Sequence, residues 1–391
     1  MATTPTPAPA TASRRRHRLR DFWERVTEGA ALGQLGRQFV SDAKASYSLY
    51  SKDVDWDEVT RGSHGLKRIR RSVWALFQAM LMKLTPARRV LLLLAIVLFF
   101  LQFTYHSRDG REVSLNFGGL GVAILFLLLA MELADRVTMK RDLEIAREIQ
   151  QWLVPDRAPV AAGLDIAFAT RPQNTVAGDY YDAFFRPLPP EGSESPSLLV
   201  VVADVAGKSV PAALLMATFQ ASLRALAATP VTLDEIVEGL DRYCRAHSLE
   251  GRRFTTAFLA EINPKSREMI FVNAGHNDPI LRRASGQIER LSTGGPPFGL
   301  PLFTDEPLPY PSGRVPLQPG DLLIIFTDGV VEAVNNAGDE YGEARLLACI
   351  QTARPQSSDE TLKRVMADVN TFVGYARQHD DITCLVLRVS A

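Results

Sequence analysis

Between Val90 and Ala134 the chain carries two apolar stretches with only a short polar link between them, and this constrains the fold more than any other feature. Val90–Phe103 reads VLLLLAIVLFFLQF, and Val113–Ala134 is longer, with Asn116 and Glu132 near its ends. A helix crossing the hydrocarbon core of a bilayer needs about 20 apolar residues, and about 17 can suffice. The second stretch has this length. The first reaches it when Ala87 to Tyr105 join and Arg88 and Arg89 snorkel toward the headgroups. A buried helical hairpin in a soluble core would also be apolar, but a soluble helix keeps a polar face and neither stretch shows one. The expectation is a pair of transmembrane helices over 87–134.

The formal net charge of zero hides a split. Arg14 to Arg89 holds 17 Lys or Arg against 8 Asp or Glu, a net of +9, and Glu148 to the end holds 21 against 30, a net of −9. Basic flanks before the hairpin (Lys67, Arg68, Arg70, Arg71, Lys83, Arg88, Arg89) and after it (Arg136, Lys140, Arg141) contrast with a nearly neutral link, His106 to Glu112. The positive-inside rule then puts both ends in the cytoplasm. It also accounts for the basic half without nucleic acid. Residues 1–13 are rich in Pro, Thr and Ala and read as a disordered tail. Residues 14–86 read as a cytoplasmic helical region with no catalytic motif. The three cysteines, Cys244, Cys349 and Cys384, are odd in number and far apart, which fits a reducing compartment and excludes a disulfide framework.

Residues 135–155 read as a charged linker helix ended by Pro155, with an imperfect apolar stripe of Val137, Leu143, Ala146, Ile149 and Leu153. A short parallel coiled coil between two protomers and packing on the helix's own domain are both open. Beyond it, strand-like runs at Leu164–Thr170, Tyr180–Phe185, Leu198–Ala203, Phe254–Ile262, Glu268–Asn273, Asp321–Thr327 and Ile382–Val389 cluster rather than alternate with helices. Helical runs fall at Val210–Ala228, Leu233–His247, Glu343–Ala353 and Asp359–Ala376. This order predicts an α+β layered domain over 156–391 with antiparallel sheets.

Within that domain aspartates stand at strand ends. Asp204 closes LLVVVAD, Asp328 closes LLIIFTD and precedes Gly329, Asp179 lies in Ala177-Gly178-Asp179, and Asp380-Asp381 open the last strand. A strand ending in Asp beside a small residue delivers a carboxylate to the rim of a sheet. Several such carboxylates with no His or Cys ligand make a hard oxygen site, suited to Mg²⁺ or Mn²⁺ rather than Zn²⁺. A lone Asp-Gly is usually a turn, and Asp321 in Pro319-Gly320-Asp321 is read as one. The ordered set carries the argument.

That set resembles the SpoIIE/RsbU-type branch of the PP2C-like phosphatases. The resemblance runs from about Ala146 to the C-terminus, through Ala146-Arg147-Glu148-Ile149-Gln150, Ala177-Gly178-Asp179-Tyr180-Tyr181-Asp182, Asp204-Val205-Ala206-Gly207-Lys208, Ala274-Gly275-His276-Asn277, Thr327-Asp328-Gly329 and Asp380-Asp381-Ile382-Thr383. It implies a PP2C-like α/β/β/α sandwich and a protein phosphatase acting on phosphoserine or phosphothreonine with two ions, Mn²⁺ or Mg²⁺. By position it implies that Asp204 bridges both metals, that the Val205 carbonyl ligates one, that Asp328 and Asp380 hold the other, and that Asp179 binds directly or through water. Asp204 and Asp328 would be catalytic through a metal-activated hydroxide, and Asp381 is the weaker ligand candidate. Two departures stand out. Ala177 replaces a glycine, and Ser209, read as a helix cap, replaces the second glycine of a Gly-Lys-Gly. His276 is open between a general acid and a turn histidine.

The resemblance further implies a phosphorylated regulatory protein as substrate, such as an anti-sigma-factor antagonist. Together with the positive-inside reading this gives the expectation of a hairpin in a bacterial inner membrane with the catalytic domain cytoplasmic, and the linker's apolar stripe gives the expectation of a homodimer through that helix. A non-catalytic membrane signalling scaffold with a degenerate phosphatase domain is the alternative, and the complete aspartate set speaks against it.

Overall fold

The computed structural model describes residues 51, 54, 56, 59, 65–106, 112–186, 196–248, 253–300, 309–351 and 357–390. The expectations for the tail 1–13 and for most of the helical region before Gly65 lie outside the described residues. The chain forms two compact units, Met1–Arg136 and Val137–Ala391.

In the first unit, helix α1 (Leu66–Lys83) is followed by α2 (Pro86–Phe100), whose first position is the proline that helix starts tolerate. A two-stranded antiparallel ribbon, β1 (Gln102–His106) and β2 (Glu112–Asn116), leads into the first half of the 36-residue helix α3 (Gly118–Leu153). The apolar stretch expected to be helical from Val113 therefore begins as a strand. The reason is local: Glu112-Val113-Ser114-Leu115-Asn116 alternates with the period of a strand, and Asn116 Oδ1 accepts the Gly118 N–H at 2.7 Å, where the helix takes over. At Gly121 the backbones of α2 and α3 meet. An added Cβ would lie 2.7 Å from the Ala95 carbonyl oxygen and 2.9 Å from the Phe99 nitrogen, the approach that small residues permit. Further along the same pair, Arg88 forms ion pairs with Asp135 at 2.6 Å and Glu132 at 3.5 Å. Outward, both helices present apolar side chains: Val90, Val97, Phe100 and Phe126 are each more than half exposed.

The second unit is a four-layer sandwich. One sheet runs β10 (Gly294–Gly295), β7 (Glu268–Ala274), β6 (Thr255–Ile262), β5 (Leu198–Val205), β4 (Tyr180–Phe185), with β11 (Gly313–Pro316) also on β7. The other runs β3 (Leu164–Arg171), β13 (Ile382–Val389), β12 (Leu322–Phe326), β8 (Ile280–Arg282), β9 (Ile288–Arg290). Pairing is antiparallel throughout except β10 on β7.

Side-chain alternation builds the layers. In β5, Leu198, Val200 and Val202 enter the core between the sheets, with Leu323 and Ile325 of β12 and Leu385 and Leu387 of β13. Leu199, Val201 and Ala203 face the other way, against Ala212, Met216, Phe219 and Leu223 of α4 (Ser209–Ala227) and Ile236, Val237 and Leu240 of α5 (Leu233–Ala246). A one-turn helix α6 (Asp328–Val331) follows β12, and Leu322, Ile324, Cys384 and Val386 meet α7 (Gly342–Gln351) and α8 (Ser358–Val373). Strands buried on both faces read as continuous apolar runs, which is why β5 and β12 were legible. Among the described residues the helix α4 has the length and composition of a membrane span, but its packing against the sheet makes it a core helix.

The linker part of α3 is half buried along Leu143, Ala146, Gln150 and Leu153, while Val137, Ile145, Ile149 and Trp152 are exposed. On this side Gln150 reaches the backbone of Ala177.

Candidate active site

Each strand that ends in an aspartate delivers it to one rim of the sandwich. Asp204 is the penultimate residue of β5, Asp328 follows β12 at the start of α6, and Asp380 and Asp381 precede β13. Asp179 precedes β4 and is 5 % exposed. The Val205 carbonyl oxygen faces Gly178, where an added Cβ would sit 3.2 Å away. Gly329 is needed for a close approach: a Cβ there would lie 1.9 Å from the Asp381 carbonyl oxygen, so only glycine lets α6 bring Asp328 beside the start of β13.

These acids hold one another's protons. Burial pushes Asp179 well above the usual carboxylate range, and the Asp204 and Asp381 charges add to it. Burial also raises Asp204 to about 7, followed by the charges of Asp328, Asp380 and Asp381. Asp328 is raised by burial and then by Asp380. Among the described residues the cation paired here is Lys208, whose Nζ is 3.0 Å from Asp380 Oδ2 and donates to the His379 carbonyl.

Further groups fix the rim. Thr327 Oγ1 donates to Asp179 Oδ2 at 2.9 Å and accepts the Thr383 N–H at 3.0 Å. Asp381 takes the backbone N–H groups of Gln173 and Gly178 on its two oxygens, each at 2.6 Å, and so straps down the loop before Asp179. Gln150 of α3 holds the same loop from the other side. Its Nε2 donates to the Ala177 carbonyl at 2.7 Å and its Oε1 accepts the Ala177 N–H at 2.9 Å. A cavity of about 300 Å³ runs from Arg147, Gln150 and Gln151 on this helix to Asp179. Sequence reasoning singled out neither Gln150 nor Thr327 as a site residue, and it ranked Asp381 only as a weak ligand. All three fall inside motifs quoted for the resemblance, but their partners lie far away in the chain, so no local spacing gives them these roles.

Other candidates resolve as structural. His276 is buried. Its backbone N–H goes to Asn273 Oδ1 at 2.7 Å, its Nδ1 lies 3.1 Å from Thr256 Oγ1, and burial lowers its pKa to about 4. It is a neutral turn histidine. Asp321 accepts the Gln318 N–H at 2.9 Å and pairs with Arg283 at 2.8 Å, which is the expected turn. Ser209 makes no capping hydrogen bond; Lys208 occupies the cap position, and Ser209 stands at φ 64°. The reading of Ser209 as a cap is therefore corrected: the position asks for the left-handed backbone that glycine supplies.

Among the described residues no group of three or more His, Cys, Asp or Glu side chains stands in coordination geometry. The rim acids are near enough to raise one another's pKa, and Asp381 and Asp380 are turned toward protein donors. The donor set itself, carboxylates and one carbonyl with an excess of negative charge, fits a hard divalent cation.

A two-sheet sandwich covered by helices, with aspartates gathered on one rim, defines the PP2C-like phosphatase fold. The chain is 24 % identical to the SiaA-PP2C domain of Pseudomonas aeruginosa, with a TM-score of 0.54 over 65 % of this chain and 98 % of that domain. Residues 194–390 match the Stage II sporulation protein E (SpoIIE) family, and the chain belongs to that family. It is 26 % identical to the phosphoserine phosphatase RsbU of Bacillus subtilis over 64 % of this chain and 70 % of that protein. It is 27 % identical to protein IcfG of Synechocystis sp. over 66 % of this chain, and spans 43 % of that protein's length.

Proposed function

We propose that this chain is a membrane-anchored, metal-dependent protein phosphatase that hydrolyses phosphoserine or phosphothreonine on a regulatory protein, such as an anti-sigma-factor antagonist. The observation that carries the reading is the unbalanced aspartate rim: carboxylates from four separate segments raise one another's pKa, and among the described residues Lys208 pairs with Asp380 alone of them. Asp179, Asp204, Asp328, Asp380 and the Val205 carbonyl would hold Mn²⁺ or Mg²⁺. Bound there, such ions supply Lewis-acid polarisation of the phosphoryl group and an activated water. The remaining work belongs to the chain. Thr327 orients Asp179, Asp381 and Gln150 fix its loop, and Lys208, half exposed, offers a positive charge to an incoming phosphoryl oxygen.

Anchoring is supported by the outward apolar surface of α2 and the first half of α3 and by the basic flanks. On this reading α2 and the first half of α3 form a two-pass hairpin in a bacterial inner membrane with the catalytic unit in the cytoplasm, although α2 spans 15 residues and the expected extension to Tyr105 is strand β1. The exposed stripe of Ile145, Ile149 and Trp152 gives the linker a face for a homodimer, and Gln150 gives that linker a handle on the Asp179 loop.

The deciding experiment is hydrolysis of a phosphoserine peptide by the full chain in detergent, with Mn²⁺ and with chelator, beside Asp204→Asn and Asp328→Asn. Metal-dependent turnover that falls more than about 100-fold in both variants is expected, since even residues behind a metal ligand are worth 10–100-fold. Turnover that survives chelator and both substitutions rejects the reading.

A further inference from the structure

Four arginines of the catalytic unit, Arg186, Arg224, Arg245 and Arg283, each meet a carboxylate at 2.6–2.8 Å. Arg171 does not. It is the last residue of β3 and stands opposite Ile382 of β13. Its Nη1 donates to the neutral side chain of Asn370 on α8, and its Nε is buried with no hydrogen-bond partner. Among the described residues no carboxylate pairs with it. Burial lowers its pKa from the ordinary value, so the guanidinium is partly dehydrated without a counter-charge. That is a cost which an incoming anion removes.

This charge stands beside the rim. Gln378 Nε2 donates to the Arg171 carbonyl at 2.7 Å and to the Asp380 carbonyl at 2.6 Å. One side-chain nitrogen thus ties the end of β3 to the segment that carries Asp380. A cleft of about 160 Å³ lies here, lined among others by Arg171, Lys208, Glu332, Val373, His379 and Asp380. Lys208 is taken by Asp380 at 3.0 Å. Glu332 belongs with the rim acids, its pKa raised by burial and then by the Asp328 charge. Arg171 is the cation left with a neutral partner. The cleft is small beside the about 300–1,000 Å³ of ligand pockets, so it suits a single side chain rather than a cofactor.

We propose that this cleft is a specificity subsite for an acidic residue next to the phosphoserine of the substrate, with its carboxylate held by the Arg171 guanidinium. The inference rests on the phosphatase reading and names a determinant of its substrate. Along an extended peptide each residue advances about 3.3–3.6 Å. A side chain one or two positions from a phosphoserine at the rim therefore covers the short gap between Asp380 and Arg171 that the Gln378 nitrogen bridges. The planar fork of an arginine matches a carboxylate bidentately. From Glu148 to the end the chain carries a net charge of −9, so an acidic segment approaches against the general field, and a local uncompensated cation is what admits it.

The test uses the full chain in detergent with Mn²⁺ and three phosphoserine peptides that differ only in the residues flanking the phosphoserine on both sides, which are Glu, Gln or Lys. The readout is kcat/KM for the Glu peptide over that for the Gln peptide. A partly exposed ion pair is worth up to about fivefold, and a preference of that size for the Glu peptide is expected of the native chain. Asn370→Asp, on the exposed side of α8, gives Arg171 an internal counter-charge and should erase the preference with Arg171 itself intact. Arg171→Met should erase it too, Arg171→Lys should keep part of it, and Arg171→Glu should turn it toward the Lys peptide. A merely structural Arg171 would lower all three peptides together and leave the ratio in place. A native chain with no preference for the Glu peptide, or a preference that survives either Asn370→Asp or Arg171→Met, overturns the subsite and leaves the phosphatase standing. Absence of metal-dependent turnover with every peptide overturns both.

Discussion

Two sets of buried or partly buried acids stand apart among the described residues. Away from the rim each has an arginine: Glu261 with Arg186 at 2.8 Å, Asp182 with Arg224 at 2.8 Å, Asp241 with Arg245 at 2.6 Å, and Asp321 with Arg283 at 2.8 Å. At the rim Asp179, Asp204, Asp328, Asp380 and Asp381 stand together, and among the described residues one ion pair reaches them, Lys208 with Asp380. Uncompensated charge in a low-dielectric site is costly. That imbalance is what the divalent cation of the proposed function would relieve.

The contrast can be broken by removing one charge from each group. Glu261→Gln leaves Arg186, which is 1 % exposed, without its counter-charge and should cost about 3–5 kcal/mol in urea unfolding. The double variant Arg186→Met/Glu261→Leu should recover most of that. In chelator, Asp204→Asn should do the opposite and raise Tm by a few degrees, on the order of 1 kcal/mol, because it removes a carboxylate whose pKa burial raises first and the neighbouring charges next. Equal destabilisation by Glu261→Gln and Asp204→Asn would erase the distinction between the two groups.

His276 extends the comparison to a buried group held neutral. Its folded pKa is about 4, below the ordinary value of 6.5, so the unfolded chain binds its proton first. Its contribution is fully present above pH 6.5 and is lost as pH falls toward 4, a change of about 3 kcal/mol. His276→Gln should flatten that part of the stability profile between pH 6.5 and 4, measured by denaturant titration. An unchanged acid limb would mean that the histidine is protonated in the fold.

How much of this was legible in the sequence follows from where the interactions close. β5 and β12 are buried on both faces and carry Asp204 and Asp328 at or just past their ends, so apolar runs and the carboxylates that close them mark themselves. The strap from Asp381 to Gly178 joins residues 203 positions apart, and the Gln150 clamp on Ala177 joins residues 27 apart. No local pattern encodes either. The strands Ile280–Arg282 and Ile288–Arg290 have three residues each, too few for a period to show. The ribbon at Glu112–Asn116 was hidden by the apolar count of the stretch it begins.

Gly329 ties the rim's geometry to one missing side chain. Gly329→Ala would force its Cβ against the Asp381 carbonyl and should cost about 1–3 kcal/mol. It should also weaken Mn²⁺ binding measured calorimetrically, since Asp328 and Asp381 would have to part. Unchanged affinity would show that this approach is not what sets the rim.

The smallest expected effect isolates backbone from side chain at the mouth of the site. Ser209 sits at φ 64° with no capping hydrogen bond, a conformation that costs a residue with a Cβ about 1 kcal/mol relative to glycine. Ser209→Gly should therefore raise stability by somewhat less than that, because glycine also loosens the unfolded chain. Ser209→Ala should change little, since the hydroxyl holds no helix end. If the hydroxyl were a cap, both substitutions would lower stability, alanine by about 1 kcal/mol and glycine by a few tenths. The sign of the glycine variant thus decides between a strained turn beside Lys208 and a conventional helix start.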